Sequence, residues 1–384
     1  MKKLLFNLGV FGEHGIDQAA LNLLNAIPKN EYKIILHVIY ELGYTSKLIE
    51  QLDNNIQIQI AIPNKSILGK IHFNRKKNLL FGALDGISFF LINRKIRESV
   101  VSINPDWIID YDTSLQKIVH RIKFFSITFI HFAPNQLRGG RKSSLNRMGK
   151  RLNSYKKIIL LCDEMKSQAQ ELWPHLYEKF SVIPNPINIK KVLSKSIDQI
   201  QLPIGIQNKE FFLSVGRLSE QKNFLFMIDA YKLALEKGVD WPLIIIGDGN
   251  LKTTLIQKIK SLKLEDQVIL LGHKDNPYPY IRHASSFLLS SDFEGFGLVL
   301  VEAMILGCPI ISTNCKVGPS DILEYGNLGL LTKVGDVNQF AMAISNFYTN
   351  SSLRSDFALK AKLGLNKYDS DFVCSQIIKL LPAQ

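Results

Sequence analysis

The sequence has few cysteines. Four occur in 384 residues, and none of Cys162, Cys308, Cys315 and Cys374 belongs to a Cys-x-x-Cys pair. This scatter argues against a structural zinc site or a disulfide framework, and it is typical of a protein in a reducing cytoplasm.

Long apolar runs are also lacking. The run from Leu79 to Ile92 is interrupted by Asp85, and the run from Phe124 to Ala133 is too short to span a bilayer. The opening residues, MKKLLFNLGVFG, contain Asn7 and lead into a glycine turn rather than a cleavage site. They predict a first strand and not a signal peptide. We therefore expect no integral membrane segment.

The composition indicates a globular protein, because 46% of the residues are hydrophobic and only 21% are charged. The length predicts two or three domains. The charge is unevenly distributed: residues 1–187 carry a net +11, whereas residues 188–384 carry +2. The N-terminal half is therefore the part expected to meet an anionic partner.

Strand-like and helix-like stretches alternate along the chain, which predicts an α/β protein with parallel sheets. The segment VIPNPIN, Val182 to Asn188, contains two prolines and predicts a boundary between two domains. A new strand then begins near Phe211.

The stretch from Ser290 to Thr313 organises the second half. It predicts a strand, a loop, a helix from Leu298 to Gly307 and a second parallel strand. The free amides at the start of such a helix favour an anion. Glu294 and Glu302 flank this point, and carboxylates beside a phosphate site suit hydrogen bonds from sugar or ribose hydroxyls.

The spacing Glu294-x7-Glu302, with Gly-Phe-Gly between them, resembles the signature of the retaining glycosyltransferases of family 4, which have the GT-B fold. The resemblance implies two Rossmann-like βαβ domains that face each other across a cleft. It also implies that Glu302 binds the ribose of a nucleotide sugar and Glu294 the hydroxyls of the donor sugar. The loop residues Gly295, Phe296, Gly297 and Leu298 would lie against the diphosphate.

A second match follows the strand at Phe211 to Val215. Gly216, Arg217 and Lys222 form the pattern GRL-x3-K, which resembles the family's second signature. A guanidinium and an ammonium beside a helix N-terminus can clamp a diphosphate and stabilise it as it departs. By the same resemblance, backbone groups near Gly272 and His273 receive the nucleotide base.

The N-terminal half is matched more weakly. The resemblance assigns residues 1–187 to acceptor binding and residues 188–367 to the nucleotide sugar, with a last helix at about 368–384 that crosses back to the first domain. It implies that Gly15, in the first glycine turn, and His131, at the end of a strand, contact the donor. His14 stands where relatives of this type have a glycine.

Two further patterns leave alternatives open. Asp110-Tyr111-Asp112 follows a strand, as does the metal-binding Asp-x-Asp of GT-A glycosyltransferases, although the GT-B reading needs no metal. The region from Arg138 to Lys157 carries eight basic and no acidic residues on an amphipathic helix. It suits either a helix docked on the core with a solvated face or a surface for anionic membrane lipid or a phosphate-bearing acceptor.

The sequence thus predicts a retaining glycosyltransferase, that is, a hexosyltransferase, that uses a nucleotide-diphosphate sugar, with a UDP-sugar as the expected donor and no metal or other cofactor. The expected acceptor is a glycan or glycolipid in lipopolysaccharide or other surface polysaccharide synthesis. We expect the protein to be cytoplasmic and to attach peripherally to the inner face of the plasma membrane. The alternatives are a nucleotide-sugar epimerase on the same fold and a basic nucleic-acid-binding protein. The residues leave the base, the sugar and the linkage open.

Overall fold

A computed structural model of the chain describes residues 1–12, 15–41, 47–68, 84–202 and 210–382. The chain divides into two compact units. The first unit comprises Met1–Ile187 and Ser370–Gln384, and the second comprises Asn188–Asp369.

The first unit is built on a sheet of seven strands, in which every pair of neighbours is parallel. Its strands are β1 (Lys2–Leu8), β2 (Tyr32–Tyr40), β3 (Gln57–Ile62), β4 (Trp107–Asp110), β5 (Phe125–Ile130), β6 (Lys157–Leu160) and β7 (Phe180–Val182). Their spatial order is β3-β2-β1-β4-β5-β6-β7, so the direction of winding reverses between β1 and β4. Ligands of open parallel sheets bind at such a reversal, beside the carboxyl ends of the strands.

Helices join and cover these strands. They are α1 (Gly15–Ala26), α2 (Leu84–Ile103), α3 (Lys142–Leu152), α4 (Asp163–Leu172) and, from the C-terminal end of the chain, α13 (Ser370–Ile378). The last of these packs on α1 within the first unit. Strand β1 has buried side chains on both faces, as expected of a central strand with helices above and below it.

The second unit contains a six-stranded sheet with parallel neighbours throughout. Its strands are β8 (Phe212–Val215), β9 (Leu243–Ile246), β10 (Val268–Gly272), β11 (Ser286–Leu289), β12 (Ile310–Thr313) and β13 (Leu330–Thr332). Their order is β10-β9-β8-β11-β12-β13. Here the winding reverses between β8 and β11.

The helices of the second unit surround this sheet. They are α5 (Ile189–Lys195), α6 (Phe224–Glu236), α7 (Lys252–Ser261), α8 (Tyr278–His283), α9 (Leu298–Ile305), α10 (Pro319–Ile322), α11 (Val337–Thr349) and α12 (Ser351–Ala361). Apolar residues of α6, among them Phe226, pack against Phe340 of α11, with their ring centroids 5.4 Å apart. This core fixes the position of the strand ends that carry the candidate site.

The observed elements agree with the α/β class predicted from the sequence. The helix predicted from Leu298 ends at Ile305, and Gly307 follows it with a φ of +69°. Among the described residues, no helix combines the length and apolar content needed to cross a bilayer.

Candidate functional site

Two loops meet where the winding of the second sheet reverses. One follows β8 and contains Gly216 to Asn223, and the other follows β11 and contains Ser290 to Gly297. Because β8 and β11 are parallel neighbours, their carboxyl ends lie at the same edge of the sheet. Residues about 70 positions apart in the chain therefore become contacts.

Direct hydrogen bonds tie these two loops together. The Asp292 amide donates to the Gln221 carbonyl at 2.9 Å, and the Gln221 side chain donates to the Phe293 carbonyl at 3.0 Å. The Ser290 hydroxyl donates to the Lys222 carbonyl at 2.7 Å. These bonds fix the backbone of Lys222 relative to the loop that carries Glu294.

Lys222 and Glu294 form an ion pair. The Lys222 Nζ lies 2.6 Å from Glu294 Oε1, and the two side chains are only 17% and 6% exposed. The Ser291 hydroxyl donates to the same oxygen at 2.6 Å. Charge-assisted bonds of this length in a partly dry setting are strong. The carboxylate is therefore held by two donors that come from both loops.

Glu302 lies in the second turn of α9, and its carboxyl accepts a hydrogen bond from the Tyr278 hydroxyl at 3.1 Å. Burial raises the pKa of Glu302 to about 7, and the Tyr278 bond and the Lys222 charge oppose this rise. A carboxyl with a pKa near neutrality changes charge over the physiological pH range. Its ability to accept hydrogen bonds is therefore sensitive to pH.

The N-terminus of α9 lies between these two carboxyls in the sequence. Gly297 caps the helix with a φ of +93°, a backbone conformation that suits glycine, and it has no side chain that could accept bonds from the first-turn amides. Those amides carry the positive end of the helix dipole. The start of α9, at Leu298, therefore has the chemistry of an anion site.

Gly216 and Gly247 allow two strand-end loops to touch. A Cβ on Gly247, whose φ is +151°, would lie 1.9 Å from the Gly216 carbonyl oxygen. A Cβ on Gly216 would in turn lie 3.4 Å from Lys222 Cε, so the lysine stem runs across this glycine. The turn at Gly247 thus supports the loop that presents Lys222.

The other predicted residues of the second unit occupy different positions. The side chain of Phe296 is buried, with its ring 6.1 Å from that of Tyr368, so this residue offers a ligand its backbone only. Gly295 is half-buried and precedes it. Arg217 is exposed at the end of β8. Gly272 ends β10, and the adjacent His273 is 71% exposed, with Nε2 3.2 Å from Asp275.

The predicted residues of the first unit are Gly15 and His131. Gly15 is the exposed first residue of α1, while His14 lies outside the described residues. His131 is buried, and its Nε2–H donates to the Tyr111 carbonyl at 2.6 Å. Its Nδ1 has no hydrogen-bond partner among the described residues. Burial lowers the pKa of His131 to about 4, so the imidazole is neutral at pH 7.

The Asp-x-Asp pair is engaged by the protein itself. Asp110 is fully buried and accepts from Asn7 at 2.8 Å, from the Leu115 amide at 3.0 Å and from the Tyr155 hydroxyl. Asp112 accepts from two backbone amides. Among the described residues, no group of three or more His, Cys, Asp or Glu is placed to hold a metal ion. The contacts of these carboxylates are those of residues that fix a loop.

Helix α3 carries the basic region. Its apolar stripe, Leu145, Met148 and Leu152, is buried, and the Trp173 indole donates to the Leu145 carbonyl at 3.0 Å. Basic side chains away from this stripe are exposed. They are Arg141 before the helix, Lys142, Arg147 and Lys150 within it, and Lys156 after it. Docking on the core therefore accounts for the apolar stripe and leaves the positive charges facing solvent.

Comparison with known families matches part of the chain. Residues 197–363 fit the family model described as glycosyl transferases group 1. This range contains both tethered loops, the Lys222–Glu294 pair and Glu302. The second unit is therefore similar to the group 1 glycosyltransferases over most of its length.

One curated relative of the chain is an enzyme named for its acceptor. The chain is 30% identical over 230 residues to the N-acetylgalactosamine-N,N'-diacetylbacillosaminyl-diphospho-undecaprenol 4-alpha-N-acetylgalactosaminyltransferase of Campylobacter jejuni. That alignment covers 59% of the chain and 61% of the enzyme, which is less than two thirds of its length. An uncharacterised glycosyltransferase of Haemophilus influenzae is 26% identical, with 96% of each chain covered.

Solved structures support the fold. The chain resembles Alr3699/HepE of Anabaena, which was solved with UDP and glucose, with a TM-score of 0.78 at 18% identity and 99% of each chain covered. At this identity the likeness concerns the fold alone. The predicted GT-B class, with two Rossmann-like domains, is confirmed.

Sequence reasoning missed the partners of the predicted residues around the candidate site. Tyr278, which donates to Glu302, lies 24 positions away and carries no motif that could have identified it. Ser291 could have been found, because a hydroxyl three residues before Glu294 at a strand end is well placed to reach it. Gln221 joins the two loops, and its role depends on strand order, which the motif does not contain.

Proposed function

We propose that the protein is a retaining glycosyltransferase that moves a sugar from a nucleotide-diphosphate sugar, a UDP-sugar in the first instance, to a glycan or glycolipid acceptor. One observation carries the proposal. In the Lys222–Glu294 pair, Nζ and Oε1 are 2.6 Å apart, and Glu294 lies three residues before Gly297, which caps the N-terminus of α9. A cation, a carboxylate and the N-terminus of a helix are groups that suit a sugar diphosphate.

The diphosphate would be bound by Arg217, Lys222 and the first amides of α9. A diphosphate carries the negative charge that a helix N-terminus and two cationic side chains attract. As the bond to the sugar breaks, negative charge grows on the departing phosphate. Donors that are already in position stabilise this charge without reorganising, which is how such groups accelerate a reaction.

Glu294 would accept hydrogen bonds from the hydroxyls of the donor sugar. Its bond from Ser291 keeps the carboxylate in place when Lys222 turns towards a phosphate oxygen. The ion pair therefore positions both groups before they exchange partners. Holding a sugar by its hydroxyls fixes the orientation of its anomeric carbon.

Glu302 would accept hydrogen bonds from the ribose hydroxyls, with Tyr278 orienting its carboxyl. Only the ionised carboxylate can accept from two hydroxyls without giving up an acceptor position to its own proton. The backbone near Gly272 and the exposed His273 would lie against the base. The stem of Lys222 runs across Gly216, so this glycine would form part of the surface beneath the diphosphate.

His131 and Gly15 would contribute from the first unit. A neutral imidazole whose Nδ1 has no partner among the described residues can accept a hydrogen bond from a sugar hydroxyl. With a pKa of about 4, His131 is not a proton donor at neutral pH. The role that suits it is therefore orientation of the sugar rather than general acid catalysis.

The proposed acceptor is lipid-linked or part of a surface polysaccharide, assembled at the inner face of the plasma membrane. The Campylobacter relative is named for a diphospho-undecaprenol substrate, which supports this class of acceptor. The exposed basic face of α3 supports attachment to anionic lipid, at about 1 kcal/mol for each basic residue near the surface. Flotation with vesicles that contain anionic lipid tests this attachment.

Thermal unfolding with UDP, GDP, ADP and CMP tests the donor site. At 100 times its dissociation constant, a ligand stabilises the folded state by about 2.7 kcal/mol. We expect UDP to raise the Tm of the wild type with EDTA present, and to lose this effect in Glu302→Ala. Stabilisation that needs Mn²⁺ and persists in Glu302→Ala would contradict the assignment.

Product analysis tests the reaction itself. Incubation with UDP-sugars and a lipid-linked acceptor should give a new glycosidic bond with the donor's anomeric configuration. Interconversion of the donor into its epimer with no acceptor product would instead support a nucleotide-sugar epimerase.

A further inference from the structure

A cavity in the first unit is not used by the proposed donor site. It has a volume of about 260 Å³ and lies between α2 and the loop that follows β4, next to the end of β2. We call it the Gln116 pocket, and its lining includes Phe89, Ile92 and Ile96 on one side and Thr113, Gln116 and Lys117 on the other. Its place at the carboxyl ends of β2 and β4 is where open parallel sheets bind ligands.

The two walls of the Gln116 pocket differ in chemistry. The α2 wall is mostly apolar, with Asn93 as its polar residue, and Phe89 is 39% exposed, so part of its ring is open to a ligand. The opposite wall presents a hydroxyl, an amide and an ammonium, with Lys117 Nζ 4.2 Å from the centroid of the Phe89 ring. A sugar ring has the matching character, because its C–H faces pack on aromatic rings while its hydroxyls form hydrogen bonds.

Gln116 has one unsatisfied hydrogen-bonding atom. Its side chain is only 5% exposed, and Nε2 donates to the Thr113 carbonyl at 3.1 Å. This bond sets the orientation of the amide, because the opposite assignment would place two oxygens together. Oε1 is buried and has no partner within the described part of the chain. A ligand hydroxyl in the cavity is the donor that this oxygen lacks.

The polar wall is held in a strained conformation. Thr113 has a φ of +61°, which is unfavourable for a β-branched residue. Two carboxylates fix the chain here: Asp112 accepts from the Ser114 amide at 3.2 Å, and Asp110 accepts from the Leu115 amide at 3.0 Å. Strain that the surrounding structure maintains is a mark of binding sites. The Asp-x-Asp pair thus acts as a positioning element for this wall.

We propose that the Gln116 pocket binds a sugar ring, with Phe89 against one face and Gln116 Oε1 accepting from a hydroxyl. The identification of that ring as the sugar of the acceptor rests on the proposed transferase function. Binding of a sugar by the pocket does not depend on it.

Saturation-transfer NMR on the full chain tests the proposal, with the methyl glycosides of glucose, galactose and N-acetylglucosamine as probes. We expect at least one glycoside to receive saturation from the wild type. Phe89→Ala should weaken its binding at least about tenfold, the equivalent of 1.4 kcal/mol. Phe90→Ala is the matched control, because Phe90 is adjacent and 57% exposed but is not among the residues that line the cavity.

Two further variants separate this site from the donor site. Gln116→Met keeps the side-chain length and removes both the acceptor and the Nε2 donor to the Thr113 carbonyl, so it should also weaken glycoside binding, whereas Glu302→Ala should leave it unchanged. The proposal is overturned if no glycoside receives saturation, if Phe89→Ala and Phe90→Ala bind equally well, or if Glu302→Ala abolishes binding. Glycoside binding without any UDP-dependent rise in Tm would refute the donor site and leave the pocket standing.

Discussion

In both units, two carboxylates follow a strand at which the sheet winding reverses, but the partners of these carboxylates differ. After β4, Asp110 and Asp112 accept from backbone amides and neighbouring side chains and hold a loop. After β11, Glu294 faces a lysine, and Glu302, in α9, faces a tyrosine. A pair of carboxylates after a strand thus holds a loop in one unit, and in the other we propose that it binds a ligand.

The difference lies in the mobility of the donors. Backbone amides such as those of Gly9 and Leu115 cannot leave their carboxylates without unfolding the loop. The ammonium of Lys222 stands on a flexible stem and can transfer to a phosphate. A carboxylate paired with such a cation is therefore available to a ligand, whereas one bound by amides is not.

Lys222→Met should have the largest effect on activity. It removes a donor that we place at the departing diphosphate, and loss of such a donor typically lowers kcat by about 100- to 1000-fold. Steady-state transfer assays measure this effect. Lys252→Met is the control, because Lys252 also pairs with a carboxylate, Asp248, but is 46% exposed. Equal activity of the two variants would show that the Lys222–Glu294 pair is only structural.

Asp110→Asn should affect stability rather than donor binding. Asparagine replaces one of the two accepting oxygens of this fully buried side chain by an NH₂ group, a donor that would face the donors of Asn7, Leu115 and Tyr155. We expect a loss of about 3 kcal/mol in the free energy of unfolding. Urea titration measures it, and UDP should still raise the Tm.

Asp106→Asn is the matched control for that variant. Asp106 precedes β4 and accepts from the Lys3 amide at an exposed position. We expect it to cost less than about 1 kcal/mol. If Asp110→Asn abolished the response to UDP while the protein remained folded, the contrast between the two carboxylate pairs would be wrong.

Glu302→Gln should stabilise the protein at pH 8 while it abolishes the response to UDP. The pKa of Glu302 is raised from 4.5 to about 7, so between these values the folded state binds a proton that the unfolded state has released. Stability from this group therefore falls as pH rises through that window. Removing the charge should gain on the order of 2 kcal/mol at pH 8 and nothing at pH 4.

Thermal unfolding of Glu302→Gln and wild type across this pH range provides the measurement. A variant less stable than the wild type at pH 8 would show that the carboxylate is stabilised by its surroundings. In our proposal the charge of Glu302 is needed to bind UDP but lowers the stability of the fold, and that result would remove the conflict between the two.

Much of this architecture was predictable because it depends on local patterns. The alternation of apolar strands with helices indicates parallel sheets, and the glycines around Phe296 with Glu294 and Glu302 identify the start of α9 as an anion site. Each of these signals lies within about 25 residues of sequence. The GT-B class followed from such short stretches and from the resemblance that they carry.

The contacts that give the site its chemistry were not predictable in the same way. Lys222 and Glu294 were both singled out, but their pairing depends on β8 lying next to β11. The sequence left metal binding by Asp110 open as an alternative, because the motif does not reveal its contacts with Asn7 and Tyr155, which come from other parts of the chain. Such contacts arise from strand order, which a motif does not encode.

Tyr278→Phe should have the smallest effect on UDP binding, and it should sharpen the comparison between the two carboxylate pairs the most. The Tyr278 hydroxyl stabilises the ionised form of Glu302, so its loss raises the pKa of that carboxyl above about 7. Because ribose binding needs the carboxylate, the pH at which UDP affinity is half lost should move upward, with affinity at high pH nearly unchanged. Calorimetric titration with UDP from pH 6 to 9 measures both the midpoint and the affinity at high pH.

Tyr280→Phe, two residues along α8, is the control. It should not shift the midpoint, since the Tyr280 hydroxyl lies near the Gln201 amide instead. A uniform loss of affinity at every pH would mean that Tyr278 contacts UDP directly and does not act through Glu302.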